Sequence, residues 1–298
     1  MPMMRNQFDD MFFARLPYLN RVFFEEFGEP DDMFAQIFNV ETSNRMREQT
    51  TGVTGFRLAY EKPEGTNVQY DRLLQEYDKT YTHTTYALGF QVTEEAFEDD
   101  LDGPMKQGAK ALARSMRTTK NTIVWGQFNN AFGTVTSPDG VSVFNNSHPL
   151  IEGGTFNNLV EADLSISSLE NALNIFDDMR DQRNLLIEMS PSLLLYPPEL
   201  RWLVGEILKS PDKPDTANRA VNVLQGILSP IMVKWLTGDD DWFVGSPPSQ
   251  TKLMLYNRRP LTISSDTDFD SGNGKTKATT RHSEGWGDWV GWVGGQGQ

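Results

Sequence analysis

Few side chains in this sequence are equipped for chemistry. There are three histidines (His83, His148 and His282), widely spaced, and no cysteine. That removes thiolate metal sites, disulfides and a cysteine nucleophile, and it leaves little for zinc or a histidine-based triad. Asp266, Asp268 and Asp270 alternate as in the start of a calcium loop. The sixth and twelfth places, which need Gly and Glu, hold Ser271 and Lys277, so an acidic turn is the reading. Gly274-Lys275-Thr276 resembles the end of a phosphate loop, but Phe269 stands where its first glycine belongs. Asp239-Asp240-Asp241 could join a metal centre for phosphoryl transfer, although a solvated loop after Gly238 accounts for them. His148 lies in an Asn/Ser loop before Pro149 and reads as a hydrogen-bonding loop residue. No G-x-S-x-G turn is present. Trp286, Trp289 and Trp292 either form an exposed sugar- or partner-binding strip or anchor the end of the chain against neighbouring surface. No reaction centre assembles, and no cofactor is implied.

Charge marks the elements more sharply than chemistry does. The 298 residues carry a net charge of −14, with 38% hydrophobic content. That balance is wrong for a protein that coats nucleic acid. No apolar run approaches the ~20 residues of a membrane span, and MPMMRNQFDD lacks the pattern of a signal peptide. The expectation is a soluble, intracellular protein. Inside this acidic chain, residues 103–137 hold Lys106, Lys110, Arg114, Arg117 and Lys120 and no acid. Met105, Ala109, Leu112, Met116 and Ile123 recur at helical spacing, which predicts a helix over 104–130 with the bases on a neighbouring arc. Pro104 suits its first turn.

Residues 1–50 carry many phenylalanines with weak periodicity, which suggests an arm packing on something else. Val53–Tyr60 and Thr80–Val92 read as strands around a polar loop, an extended excursion unable to bury a core of its own. Ser167 and Glu170 have capping-box spacing and open a helix. Leu193–Tyr196 is a short buried strand, and Pro198 starts a helix with Leu200, Leu203, Val204, Ile207 and Leu208 as its stripe. A polar loop at 210–219 precedes short strands at Ile231–Trp235, Trp242–Val244, Lys252–Asn257 and Leu261–Ser264. Lys275–Arg281 is a strand running into the Gly/Trp end. The class is α+β.

That succession resembles the major capsid proteins of tailed bacteriophages, whose fold is named after phage Hong Kong ninety-seven. At residue level it is most similar to the Mu-like major head subunit family. The resemblance rests on Asp139-Gly-Val-Ser-Val-Phe144, Ser147-His148-Pro149, Gly153-Gly154-Thr155 and Asn157-Asn158-Leu159. It continues through Leu164-Ser165, Leu169-Glu170, Tyr196-Pro-Pro-Glu-Leu200, Lys209-Ser210, Thr216-Ala217-Asn218 and Asn222. Asp241-Trp242-Phe243 and Arg281…Gly287-Asp288-Trp289 close it. It covers about 139–292 by motif order; residues 1–138 match by architecture.

The resemblance implies an N-terminal arm at 1–50, an extended β-hairpin loop at 51–92 and a peripheral domain at 93–149 with its spine helix. An axial domain at 150–262 and a C-terminal return to the peripheral domain at 263–298 follow. It implies a shell subunit, not an enzyme, forming pentamers and hexamers of an icosahedral virion capsid around double-stranded DNA. The partners would be further copies of the chain, a scaffolding protein, a portal and a decoration protein, with the genome contacted non-specifically and no membrane. No helical scaffolding segment is expected before residue 50. Lys106, Lys110, Arg114, Arg117 and Lys120 would then meet Glu61, Glu64, Asp71, Glu76 and Asp78 of an adjacent subunit. An encapsulin-like compartment, a carbohydrate-binding or adhesin module using the tryptophans, and a metal-dependent hydrolase using Asp239–Asp241 and Asp266–Asp270 stay open as alternatives.

Overall fold

In the computed structural model, which describes residues 5–28, 33–93, 95, 103–212, 221–268, 270, 271 and 273–297, the long expected helix is present. The helices are α1 (Arg5–Phe27), α2 (Met33–Ile37), α3 (Gly103–Asn129), α4 (Ile166–Asp177) and α5 (Arg201–Lys209). Met105, Ala109, Leu112 and Met116 are buried as their spacing required. Towards its end α3 instead buries Val124, Trp125 and Phe128, leaving Ile123 half-covered.

Residues 1–50, read as an arm of weak periodicity, contain a long helix that the sequence reading did not mark. α1 runs for 23 residues and packs along α3. Its buried Phe12, Leu19, Phe23 and Phe27, with Leu16 partly covered, step by four, three, four and four, an ordinary helical stripe. Exposed Phe13 and Phe24 blur that stripe in the sequence, and Pro17 sits inside the helix. A proline removes one backbone bond, but packing an apolar face supplies most of a helix's stability in a folded protein.

The strands are β1 (Asn39–Thr42), β2 (Arg47–Val53), β3 (Gln75–Thr82), β4 (Thr84–Val92), β5 (His148–Pro149), β6 (Thr155–Phe156), β7 (Leu159–Val160), β8 (Leu193–Tyr196), β9 (Ser229–Met232), β10 (Trp242–Gly245), β11 (Leu253–Thr267), β12 (Gly274–Trp286) and β13 (Trp292–Gly295). One sheet has the order β1-β11-β12-β4, with β1 parallel to β11 and the others antiparallel. A second has the order β7-β13-β10-β8-β9. β2 and β3 form a separate two-stranded ribbon, the stem of the excursion.

Several boundaries move. The strand expected at Val53–Tyr60 stops at Val53, and residues 54–74 carry no regular structure. The strand expected at Thr80–Val92 divides at His83: β3 pairs with β2, while β4 joins β12. The two segments expected at 252–264 are one strand, β11, with register shifts at Asn257/Arg259 and Arg259/Thr262 on either side of Arg258 and Pro260. Proline cannot donate to a ladder, so a break there is natural. The cap of α4 is Ser165 with Ser168 rather than Ser167 with Glu170. Of the polar loop expected at 210–219, residues 213–219 lie outside those described, as do Phe269 and Gly272 of the acidic turn.

Three apolar groups hold these layers. Phe12, Phe23 and Phe27 meet Met105, Ala109 and Met116 between α1 and α3. Trp125, Phe128, Phe144, Phe243, Trp286 and Trp292 pack between α3 and the two sheets. Leu169, Phe176, Val204, Trp242 and Trp289 lie under α4 and α5. The chain's end therefore does two jobs: β12 returns to the four-stranded sheet, and β13 enters the five-stranded one.

Candidate assembly interface

The tryptophans decide against a sugar-binding strip. Trp286, Trp289 and Trp292 are essentially fully buried, so they anchor the end of the chain. Close approach depends on glycine here: a Cβ on Gly245 would meet the Trp292 ring at 2.5 Å.

The motif residues around 139–158 and 288–289 converge on one buried knot. His148 Nδ1 lies 2.6 Å from Asp139 Oδ2, both side chains almost wholly buried. Its Nε2 lies 3.0 Å from Asn158 Oδ1, and Asn158 Nδ2 donates to the Val143 carbonyl at 2.9 Å. The imidazole stacks on Trp289 at 4.6 Å between centroids. His148 hydrogen-bonds as expected but from the short strand β5 rather than a loop, and Asp139, nine positions earlier, is the acid that sequence reasoning did not pair with it. Asp288, next to Trp289, is pushed up by burial and receives Lys252 at 3.3 Å. Lys252 also reaches Glu76 on β3 at 3.3 Å, which ties the excursion's stem to the body. Burial works against the Lys252 charge, but Asp288 and Glu76 hold its pKa above the ordinary value.

The base of the excursion is locked by a second cluster around Arg183, whose side chain is almost fully buried. It donates from Nη1 to Glu152 at 2.9 Å and to Asp71 at 3.2 Å, from Nε to Thr54 Oγ1 at 3.1 Å, and from Nη2 to the Arg72 carbonyl. Arg57 forks onto Glu152 from Nε and Nη2 at 2.9 and 2.7 Å. The backbone amides of Arg57 and Arg72, with the Arg183 guanidinium, hold Asp71 below the usual carboxylate range; Arg57 does the same for Glu152. Nothing in the local sequence marks Arg183, because its partners lie 31 to 129 positions away. At the other side of the stem, buried His83 lies 3.0 Å from Ser43 Oγ and 2.9 Å from Ser283 Oγ. Burial lowers its pKa, with Arg281 adding to the effect.

Beyond these locks the excursion presents apolar side chains to solvent. Phe56, Leu58, Tyr60, Val68 and Leu73 are more than half exposed and Tyr70 is 94% exposed. Exposed apolar surface of that extent on a rigidly based loop is the kind that marks interaction sites in proteins. Trp202 on α5 is 78% exposed, and Val221, Val223 and Ile227 are also open.

The basic arc of α3 is largely occupied within the chain. Glu26 of α1 takes Arg114 Nε at 2.6 Å and Lys110 Nζ at 3.7 Å, which lowers its pKa. Arg117 Nη1 points to the Phe27 carbonyl at 3.5 Å, a cation at a helix C-terminus. Lys106 is exposed, and Lys120 lies over the Phe34 ring at 5.7 Å. Of the acids expected opposite the arc, Asp71 and Glu76 are held by Arg183 and Lys252, and Asp78 accepts from Gln75 at 3.1 Å. Glu61 and Glu64 stand exposed at the tip. The structure thus brings none of the five bases to any of the five acids within one chain.

Other candidate chemistry disperses. Among the described residues no group of three or more His, Asp or Glu could hold a metal ion, and no helix is long and apolar enough to cross a membrane. Asp268 pairs with Lys275, closing the acidic turn. Burial pushes Asp241 up, countered by the Gly297 amide, without a third carboxylate to complete a centre.

A family described as phage capsid protein matches residues 76–294, most of the chain. The chain belongs to that family. Its role is therefore structural, as a component of the virion shell. The capsid subunit is similar in fold to a subunit of the bacteriophage PhiM1 mature capsid (TM-score 0.58, 12% identity, covering 87% of this chain and 84% of that one). It is similar also to the capsid of bacteriophage JBD30, decorated with minor capsid protein trimers (TM-score 0.55, 12% identity, 68% and 90% covered). A virus-like particle from Pyrococcus furiosus shares the fold too (TM-score 0.55, 8% identity, 94% and 99% covered). Fold alone does not separate a phage shell from such a particle; the family match does. Comparison with curated protein sequences gives no match.

Proposed function

We propose that this capsid subunit is the major head protein of a tailed phage, of the Mu-like type, whose copies gather into pentamers and hexamers and close an icosahedral shell around double-stranded DNA. One observation carries the reading: residues 54–74 are fixed at their base by Arg183 and expose Phe56, Leu58, Tyr60 and Tyr70 to solvent. A monomer gains nothing from that arrangement. Neighbouring copies covering those side chains would bury them in large obligate interfaces.

In this reading 1–50 is the arm, 51–92 the extended loop, 93–149 with 263–298 the peripheral domain, and 150–262 the axial domain. The Mu-like assignment is supported by the motif residues Asp139, His148, Asn158 and Trp289, which share one buried knot. An acidic subunit suits a DNA container, since a basic lining would retard packaging. Scaffolding, portal and decoration proteins complete the set of partners. Negative-stain microscopy and light scattering of the purified chain test it. Shells or capsomer-sized rings are expected; a strict monomer at high concentration across salt and pH overturns it.

A further inference from the structure

A groove of about 760 Å³ opens where the C-terminal end of α1, the middle of α3 and the irregular part of β11 meet. Its walls include Phe24, Phe27, Met116 and Leu261, and two cations, Lys120 and Arg258, reach it. Neither cation has a carboxylate partner among the described residues. Arg258 spends one weak bond, from Nη1 to the Ser43 carbonyl at 3.4 Å, and its Nε is buried without any partner. Among the described residues Lys120 meets the Phe34 ring and no acid. Burial depresses the Lys120 pKa with nothing offsetting it. A half-buried cation left without an acid is costly, and an incoming acid would relieve two at once.

The chain itself carries a matching tip. Pro63, Glu64 and Gly65 form a turn, closed by the Thr66 amide on the Pro63 carbonyl at 3.2 Å, with Gly65 at φ +79°. Glu61 precedes it and Glu64 sits within it, both exposed and without a basic partner among the described residues, beside exposed Leu58 and Tyr60. The other acids of this region, Asp71, Glu76 and Asp78, are already engaged. The tip does not line its own chain's groove.

We infer that the groove receives the 58–64 tip of a second copy, Glu61 and Glu64 facing Lys120 and Arg258 while Leu58 and Tyr60 cover the apolar wall. This deepens the capsid reading and rests on it. It also moves the receiving site: Lys120 and Arg258 carry it, whereas Lys110, Arg114 and Arg117 hold α1.

The test uses the full chain under conditions where the unmodified protein assembles. Lys120→Glu with Arg258→Glu should abolish shells and capsomers while circular dichroism stays unchanged. Adding Glu61→Lys and Glu64→Lys to that variant should restore them. Because the sequence has no cysteine, Glu64→Cys with Lys120→Cys gives a clean second readout. Oxidised assemblies should run as a ladder of cross-linked multimers without reductant. Normal shells from the double reversal, a cross-link confined to the monomer, or assemblies that give no ladder each overturn the inference. If the unmodified chain yields no assemblies at all, the capsid-assembly reading itself has failed, and this inference with it.

Discussion

His148 shows how a side chain of a type equipped for chemistry can serve the fold instead. Its imidazole is enclosed between Asp139, Asn158 and the Trp289 face. Replacing it with alanine would leave Asp139 Oδ2 buried without its imidazole partner, and stranding a buried acceptor costs about 1–3 kcal/mol. His148→Ala should therefore lower the unfolding free energy of the unassembled chain, read from denaturant titration, by that amount, whereas His282→Ala, which removes a contact to Glu284 and a stack on Tyr86, should cost less. Equal losses in the two variants would remove His148 from its special place. The motif carrying the family resemblance is then a folding knot: its residues are far apart in sequence and meet in space, so their order was legible but their purpose was not.

Among the elements, what was legible depended on whether a pattern was local. The long helix was, because Met105, Ala109, Leu112 and Met116 share one face and Pro104 marks its start. So were Leu193–Tyr196 and the helix after Pro198. The split of one apparent strand at His83 was hidden, since β-branched residues run through it unbroken and only distant Ser43 and Ser283 hold the break. α1 was hidden for the opposite reason: its stripe was present but crowded by Phe13, Pro17 and Phe24. The candidate interface fared likewise. The exposed, acid-bearing loop could be read from composition, but the use of Lys110 and Arg114 by Glu26 depends on a helix the sequence did not disclose. If α1 is held by its buried stripe, Phe23→Ala, at a fully buried position, should cost about 3–5 kcal/mol. Hydrogen exchange should then speed up across α1 and the facing half of α3 while the five-stranded sheet stays protected. Uniform exchange throughout would mean that α1 is integral to one cooperative core.

Across the whole molecule, two electrostatic effects oppose each other during assembly. Each copy carries −14, so copies repel at long range. Against this stand a few local pairs, such as the one inferred between the loop tip and the α3 groove, in which Lys120 and the Arg258 Nε are at least partly buried. Salt separates them, because screening acts on exposed charges through solvent and much less on buried pairs. The Debye length falls from about 10 Å at 0.1 M to about 3 Å at 1 M. Repulsion between whole subunits should therefore fade before the local pairs do, while burial of Phe56, Leu58, Tyr60 and Tyr70 does not depend on charge at all. Light scattering should show assembly becoming faster and more complete between those two salt concentrations. Dissolution of shells at the higher salt would mean instead that exposed ion pairs, not apolar burial by the loop, hold the copies together. The net charge and the apolar loop are thus complementary: repulsion keeps free subunits apart, and burial overcomes it only where a neighbour offers a fitted surface.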